Sequence, residues 1–293
     1  MENNRREFLK IAGLAGIGVA MINPLLAGAK PRKSKMKFGM VTFQWAKDWD
    51  LSTLIANCKA LGIGGVELRT QHAHKVEANL SAIQRLEVKK QFEDSGIICL
   101  GYGSNFEYHS PDTSKLRTNI EKTKEYIKLC SDIGATGLKV KPNTLPAEVA
   151  KEKTIAQIAA SLNEVGKFAQ DFDQLIRVEI HGPITAELPN MKAIFDQVTE
   201  PNVKMCWNCN DTDLLPPGLE ENFNMVKKWL GDTIHIHELD QSNYPYPQLF
   251  GLLNEAKYNG WLLLESLSNP DDKLSALKEQ RSLFSQLIEN DQI

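Results

Sequence analysis

Two apolar runs in the last third of the chain finish in side chains that can bind a metal or move a proton: His235-Ile236-His237-Glu238-Leu239 and Leu262-Leu263-Leu264-Glu265. Two earlier runs end in the same way, one at Glu179 in Val178-Glu179-Ile180-His181 and one at Asn208 after Cys206-Trp207. Two carboxylates, an imidazole and an amide oxygen form a mixed oxygen and nitrogen donor set that suits a divalent ion such as Mn, Mg, Co or Zn. The expected metal ligands are Glu179, Asn208, His235 and Glu265. Further polar residues close these or other runs: Trp45, Glu67 and Arg69, Lys139 and Lys141, His181 and His237, with His109 in a loop on the same rim.

These side chains can act together only if the fold brings the ends of the runs to one place. Between residues 37 and 290 the sequence repeats a single unit: a short β-rich run, a polar or glycine-bearing turn, then an amphipathic helical stretch. Strands are predicted at Lys37–Phe43, Gly65–Arg69, Ile97–Tyr102, Gly137–Lys141, Ile176–His181, Val203–Trp207, Thr233–Glu238 and Trp261–Ser266. Helices fall between them, as at Leu51–Leu61, Ser114–Ile133, Thr154–Phe172 and Leu274–Glu289, and Gly62, Gly96, Gly134 and Gly260 sit where helices should give way to strands. Eight such units specify an α/β fold in the form of a single (β/α)8 TIM barrel. A doubly wound open sheet would carry a glycine fingerprint after its first strand, where this chain reads Phe43-Gln44-Trp45-Ala46. Active sites of such barrels lie at the C-terminal ends of the strands, so the polar residues above share one rim.

In order and spacing these residues resemble the xylose isomerase-like barrels, which include sugar phosphate isomerases and epimerases, ketose 3-epimerases and inosose dehydratases. Val178-Glu179-Ile180-His181 is similar to the family's fifth-strand Glu motif, His235-Ile236-His237-Glu238 to its seventh-strand His-x-x-acid pattern, and Gly260-Trp261-Leu262-Leu263-Leu264-Glu265 to its closing strand. The resemblance implies proton abstraction beside a sugar carbonyl, with a divalent ion stabilising the enediolate. It implies that Glu179 and Glu265 serve as ligands that double as base and acid, with His181 as a further base and Lys139 or Lys141 facing the developing oxyanion. Glu67, His109, His237 and Trp45 are the remaining expected substrate contacts. Each has a plain structural alternative: an ion pair with Arg69 for Glu67, rim packing for Trp45, and a bond to a neighbouring acid for His237. One departure stands out. The family's sixth strand ends in Asp followed three residues on by His, whereas this chain has Asn208 and Asp211, which removes one negative charge from the ligand set.

The ends of the chain and its composition bound the rest. Asn4-Arg5-Arg6-Glu7-Phe8-Leu9-Lys10, an uncharged stretch from Ile11 to Leu26 and Ala27-Gly28-Ala29 read as a twin-arginine export signal over residues 1–29. A linker over 30–36 and a barrel over 37–293 would follow, with the product in the periplasm. Removing residues 1–29 takes away three basic and two acidic residues and moves the formal charge from -3 to -4, which gives no footprint for nucleic acid. Nothing after Ala29 is apolar for long enough to anchor the chain in a bilayer. The five cysteines, including Cys206-x-x-Cys209, are expected to be structural thiols. An exported site would meet few phosphorylated sugars, and the loop Asp240-Gln241-Ser242-Asn243-Tyr244-Pro245-Tyr246-Pro247 suits a neutral carbohydrate. The expected activity is therefore isomerisation or epimerisation of a neutral sugar. A lyase or hydratase acting on a 3-keto sugar or glycoside shares the same first step, and a non-catalytic sugar-binding barrel would account for Asn208. A homo-oligomer is compatible with this composition.

Overall fold

The computed structural model describes residues 34–241 and 243–290. The expected export signal lies outside them. Eight parallel strands close into a barrel in chain order: β1 (Lys37–Val41), β2 (Gly65–Arg69), β3 (Ile98–Glu107), β4 (Gly137–Lys141), β5 (Leu175–Glu179), β6 (Val203–Trp207), β7 (Leu230–Ile236) and β8 (Trp261–Leu264). Closure comes from β1 pairing β8 in the register Lys37↔Trp261 to Met40↔Leu264. Each strand is followed by a helix: α1 (Leu51–Leu61), α2 (Ala82–Ser95), α3 (Thr113–Asp132), α4 (Lys151–Gln170), α5 (Leu188–Phe195), α6 (Leu219–Val226), α7 (Tyr246–Glu255) and α8 (Lys273–Asn290). None of the helices among the described residues is long and apolar enough to cross a membrane.

Local signals start and stop the helices. Asp50 accepts the Thr53 amide at the head of α1, Ser81 and Gln84 form a reciprocal capping box at the head of α2, and Asp112 caps α3. Gly62 and Gly96 end α1 and α2 at φ 65° and 74°, a left-handed backbone that glycine adopts without steric cost. The expectation that Gly260 does the same is corrected by the structure, where the left-handed residue before β8 is Lys257 at φ 57°.

Strand alternation sorts side chains into two environments. Outward residues such as Val66, Leu68, Val140 and Val178 are fully buried against the helices, in a shell with Leu54, Ile158 and Leu162. Each such aliphatic residue contributes about 1.5–3 kcal/mol by leaving water. Inward residues divide the barrel interior unequally. Val41, Leu100, Trp261 and Leu263 form a small apolar cluster beside β1, β3 and β8, whereas β4 and β5 turn Lys139 and Arg177 inward with no exposure to solvent.

Five strands differ from the sequence expectation: β1, β5 and β8 end two residues early, at Val41, Glu179 and Leu264, and β3 and β7 differ more. β3 runs to Glu107 rather than Tyr102, and its pairing with β4 shifts register between Gly103 and Glu107. Such an irregularity re-aims side chains at a rim, and it carries Asn105 and Glu107 to the barrel mouth. β7 runs from Leu230 to Ile236 rather than from Thr233 to Glu238, and its first residue pairs with Met205 of β6.

Candidate active site at the barrel mouth

Strand ends of β2, β5 and β8 converge on one imidazole of β7. His235, inward on β7 and fully buried, has Nδ1 3.2 Å from Glu265 Oε2 and 3.7 Å from Glu179 Oε1. Its Nε2 lies 3.3 Å from Glu67 Oε1, close enough for charge attraction but without the alignment of a hydrogen bond. Glu179 and Glu265 each have a cation on the other side. Lys139 on β4 hydrogen-bonds Glu179 Oε2, and the Lys141 ammonium is 3.7 Å from the same oxygen. Arg69 on β2 donates to Glu265 Oε1 at 3.2 Å and to Asn105 Oδ1 at 3.1 Å. Gly103 makes this crowding feasible: a Cβ there would stand 2.4 Å from Glu67 Oε1 and 2.6 Å from Arg69 Cδ.

Burial opposes charge on these groups, and their neighbours decide the outcome. Glu179 is desolvated, yet Lys139, His235 and Lys141 hold its carboxyl well below the usual range. Burial also acts on Glu265, where His235 outweighs it and the opposing Glu179, and the pKa falls. For His235, burial favours the neutral ring, but Cys206, Glu67 and Glu265 raise its pKa well above the ordinary value. Lys141 is drawn down by burial and by Lys139, with Glu179 opposing.

Glu179, His235 and Glu265 each offer one ligand atom, and these atoms lie within 4.8 Å of one another, a spacing that could hold a metal ion. Asn208, just past β6, is buried and its Oδ1 has no hydrogen-bond partner, so an amide donor is free. The charge is a different matter. Two of the three buried carboxylates already meet buried cations, Glu179 with Lys139 and Lys141 and Glu265 with Arg69, while Glu67 faces the His235 ring. A divalent ion ligated by Glu179 and Glu265 would have to share them with the cations that already hold them, in an interior where an imperfectly compensated charge costs of order several kcal/mol. The donor set therefore fits a resident divalent ion by spacing and not by charge.

The remaining expected residues separate. His181 is half-buried just beyond β5, with Nδ1 2.9 Å from Asn143 Oδ1; burial lowers its pKa, which leaves a neutral ring at neutral pH. His237 is also half-buried, and its Nδ1 lies 2.9 Å from the Glu265 backbone oxygen. His109 stands further out, 3.1 Å from the Pro142 carbonyl, and with Asn105, Glu107 and Ser110 it lines a cavity of about 450 Å³. Two expectations are corrected. Trp45 is only 2% exposed and donates its indole N–H to the Ser268 carbonyl, so its ring packs the rim and cannot stack on a sugar. Glu67 is fully buried beneath His235, where it touches the imidazole rather than a substrate or Arg69.

Glu238, the acid of the His-x-x-acid pattern, accepts the Leu267 and Ser268 amides and so fixes the loop that carries Glu265. The cysteines among the described residues, all five, are free and buried. Sequence reasoning missed the link from Arg69 to Glu265, Asn105, Asn143 and the Phe43 ring, which lies 5.5 Å under the Arg69 guanidinium. Arg69 had a signal in its strand-end position; Asn105 and Asn143 had none.

The solved structures that resemble this chain share this closed barrel. An L-ribulose 3-epimerase superposes with a TM-score of 0.76 at 16% identity, covering 87% of this chain and 95% of its own. The apo form of 3-keto-D-glucoside 4-epimerase, YcjR, from E. coli gives 0.71 at 13% identity, covering 86% of this chain and 100% of its own. An IOLI protein with a bound zinc atom gives 0.73 at 14% identity, covering 87% and 99%. At these identities the likeness shows the fold. The sequence itself goes further, because a family model described as "Xylose isomerase-like TIM barrel" matches residues 55–286, from α1 to near the end of α8. With the strand-end Glu, His and Glu of β5, β7 and β8 standing where the motifs placed them, the chain belongs to the xylose isomerase-like TIM barrel family.

Proposed function

We propose that this protein is a sugar epimerase or isomerase that exchanges a proton on the carbon beside a carbonyl of a neutral carbohydrate. The observation that carries the reading is the pair of carboxylates, Glu179 and Glu265, that arrive from different strands and both approach Nδ1 of His235 at the mouth of a family barrel. Similar solved barrels include an L-ribulose 3-epimerase and a 3-keto-D-glucoside 4-epimerase, which supports the reaction class.

Epimerisation needs two groups on opposite faces of the reacting carbon. Carboxylates arriving from β5 and β8 provide them: one removes the carbon-bound proton, an enediolate forms, and a proton returns from the other side. The cations that depress the carboxylate pKa values need not slow this step. Proton transfer moves negative charge from a carboxylate to the sugar oxygen, so the surrounding field favours reaction whenever that oxygen sits nearer the cations than the base does. Lys141, about a tenth exposed and 3.7 Å from Glu179, is placed for that role. The neutral ring of His181, anchored by Asn143, is placed to pass protons between substrate and solvent. If the twin-arginine segment directs export, free or glycosidically linked sugars are the substrates within reach; fractionation of tagged full-length protein tests the location, and recovery only in the cytoplasm would refute it.

The test of function is solvent exchange. Purified protein is incubated in deuterated water with ketoses, aldoses and 3-keto glycosides, and deuterium is expected at the carbon beside the carbonyl in at least one. Binding without exchange across the panel would replace this reading with that of a sugar-binding barrel.

A further inference from the structure

We infer that Lys139, Lys141 and Arg69 take the place of a divalent ion in this barrel, so that fixed side-chain cations hold the ionised acids and the oxyanion and no metal is required. The inference rests on the proton-transfer reading of the site, but its evidence is separate. Lys139 is fully buried and bonds Glu179, and Arg69 bonds Glu265, so each carboxylate that would ligate a metal is already bound to a cation. Lys141 adds a second ammonium on Glu179. The strand-end acid that would raise the negative charge is absent, since β6 is followed by Asn208. A Lys ammonium is a point charge with three donors, and an Arg fork is permanently charged, so together they can hold carboxylates and an alkoxide in fixed geometry. The inward Lys139 and Lys141 come from alternate positions of β4 and are built into the barrel wall rather than reaching in from a surface loop.

The experiment reads metal directly. Full-length protein purified without chelator is assayed for bound metals, then titrated with Mn²⁺ and Zn²⁺ by calorimetry and by thermal melting. The expected result is no copurified equivalent of metal and a melting temperature unchanged by chelator. Deuterium exchange, once a responsive sugar is found, should also persist in chelator. Lys139→Met removes one cation, and Asn208→Asp adds one negative charge without changing shape and serves should the first variant fail to fold. Either change should tighten Mn²⁺ binding by at least about tenfold, because one unit charge within about 4 Å outweighs that factor even in a moderately polar interior. One equivalent of tightly held metal in the unaltered protein, a melting temperature that falls on chelation, or variants with no gain in affinity would overturn the inference. Failure to exchange deuterium with any sugar would remove the proposed function and leave the metal measurements to decide this question alone.

Discussion

The Lys139–Glu179 pair shows at the scale of single residues how stability and chemistry share one contact. Both side chains are essentially without solvent, so removing one partner strands a charge in the interior. Glu179→Gln and Lys139→Met should each lower unfolding stability by about 3–5 kcal/mol, while the double variant should recover most of that loss. Urea denaturation of the three variants measures it, and additive losses would show that the pair is not coupled. Glu265→Gln keeps the shape of the site and loses an acid-base group, so solvent exchange should slow by about 10²–10⁴-fold. That Glu179, His235 and Glu265 gather at one place was legible in the sequence, because each stands at or next to the end of a β-rich run. Their partners were not. Arg69 shares a strand face with Glu67, which made that pair the natural guess, yet Gly103 leaves room for Arg69 to reach Glu265 across the barrel. Contacts across a closed barrel depend on the relative heights of eight strands, and no local pattern encodes those heights.

Single elements bring a second titratable group that the reaction does not use. The turn after β6 forms a short 3-10 helix, Asp211–Leu214, whose Asp213 is fully buried. Its Oδ2 accepts the Tyr244 hydroxyl at 2.8 Å and the Asn210 amide at 2.9 Å, and its Oδ1 has no partner. Burial raises its pKa to about 7, against the two hydrogen bonds and with Asp211 adding to the rise. The folded protein therefore holds this proton where the unfolded chain, at about 3.8, has released it. The contribution to stability is complete below pH 4 and is lost as pH rises to about 7, a span on the order of a few kcal/mol. Asp213→Asn should flatten that part of the stability curve and fall least below the parent above pH 7; parallel curves for the two proteins over pH 4–8 would contradict it. Elements of this kind were the least readable part of the fold. The bounds of β2, β4 and β6 follow directly from compact β-rich runs. β3 was cut short at its glycines and the 3-10 turn was not expected, since glycine and aspartate read locally as loop and only the tertiary packing overrides them.

Across the whole molecule the two ends of the barrel have different tasks. The end opposite the site is tied by Arg177, inward on β5 and fully buried. It makes a two-pronged bond to Asp232 on β7 at 2.8 Å for each arm, reaches the Leu100 carbonyl on β3 at 2.5 Å, and donates to Thr136 ahead of β4 at 2.8 Å. One guanidinium thus links four strands, and the geometry depends on Gly101, where a Cβ would stand 2.9 Å from the Arg177 Nη1 and far closer to the Gly137 carbonyl. Arg177 bonds neither Glu179 nor Glu265 among the described residues, so its loss should act on the fold alone. Arg177→Met removes these bonds and leaves Asp232, about a third exposed, able to turn to water. The expected cost is about 3 kcal/mol, or on the order of 10 °C in melting temperature for a domain of this size. Solvent exchange per folded molecule at 25 °C should be unchanged. A melting temperature that holds while exchange collapses would mean that the floor of the barrel sets the geometry of the mouth, and that the division between a stabilising end and a reacting end does not apply to this protein.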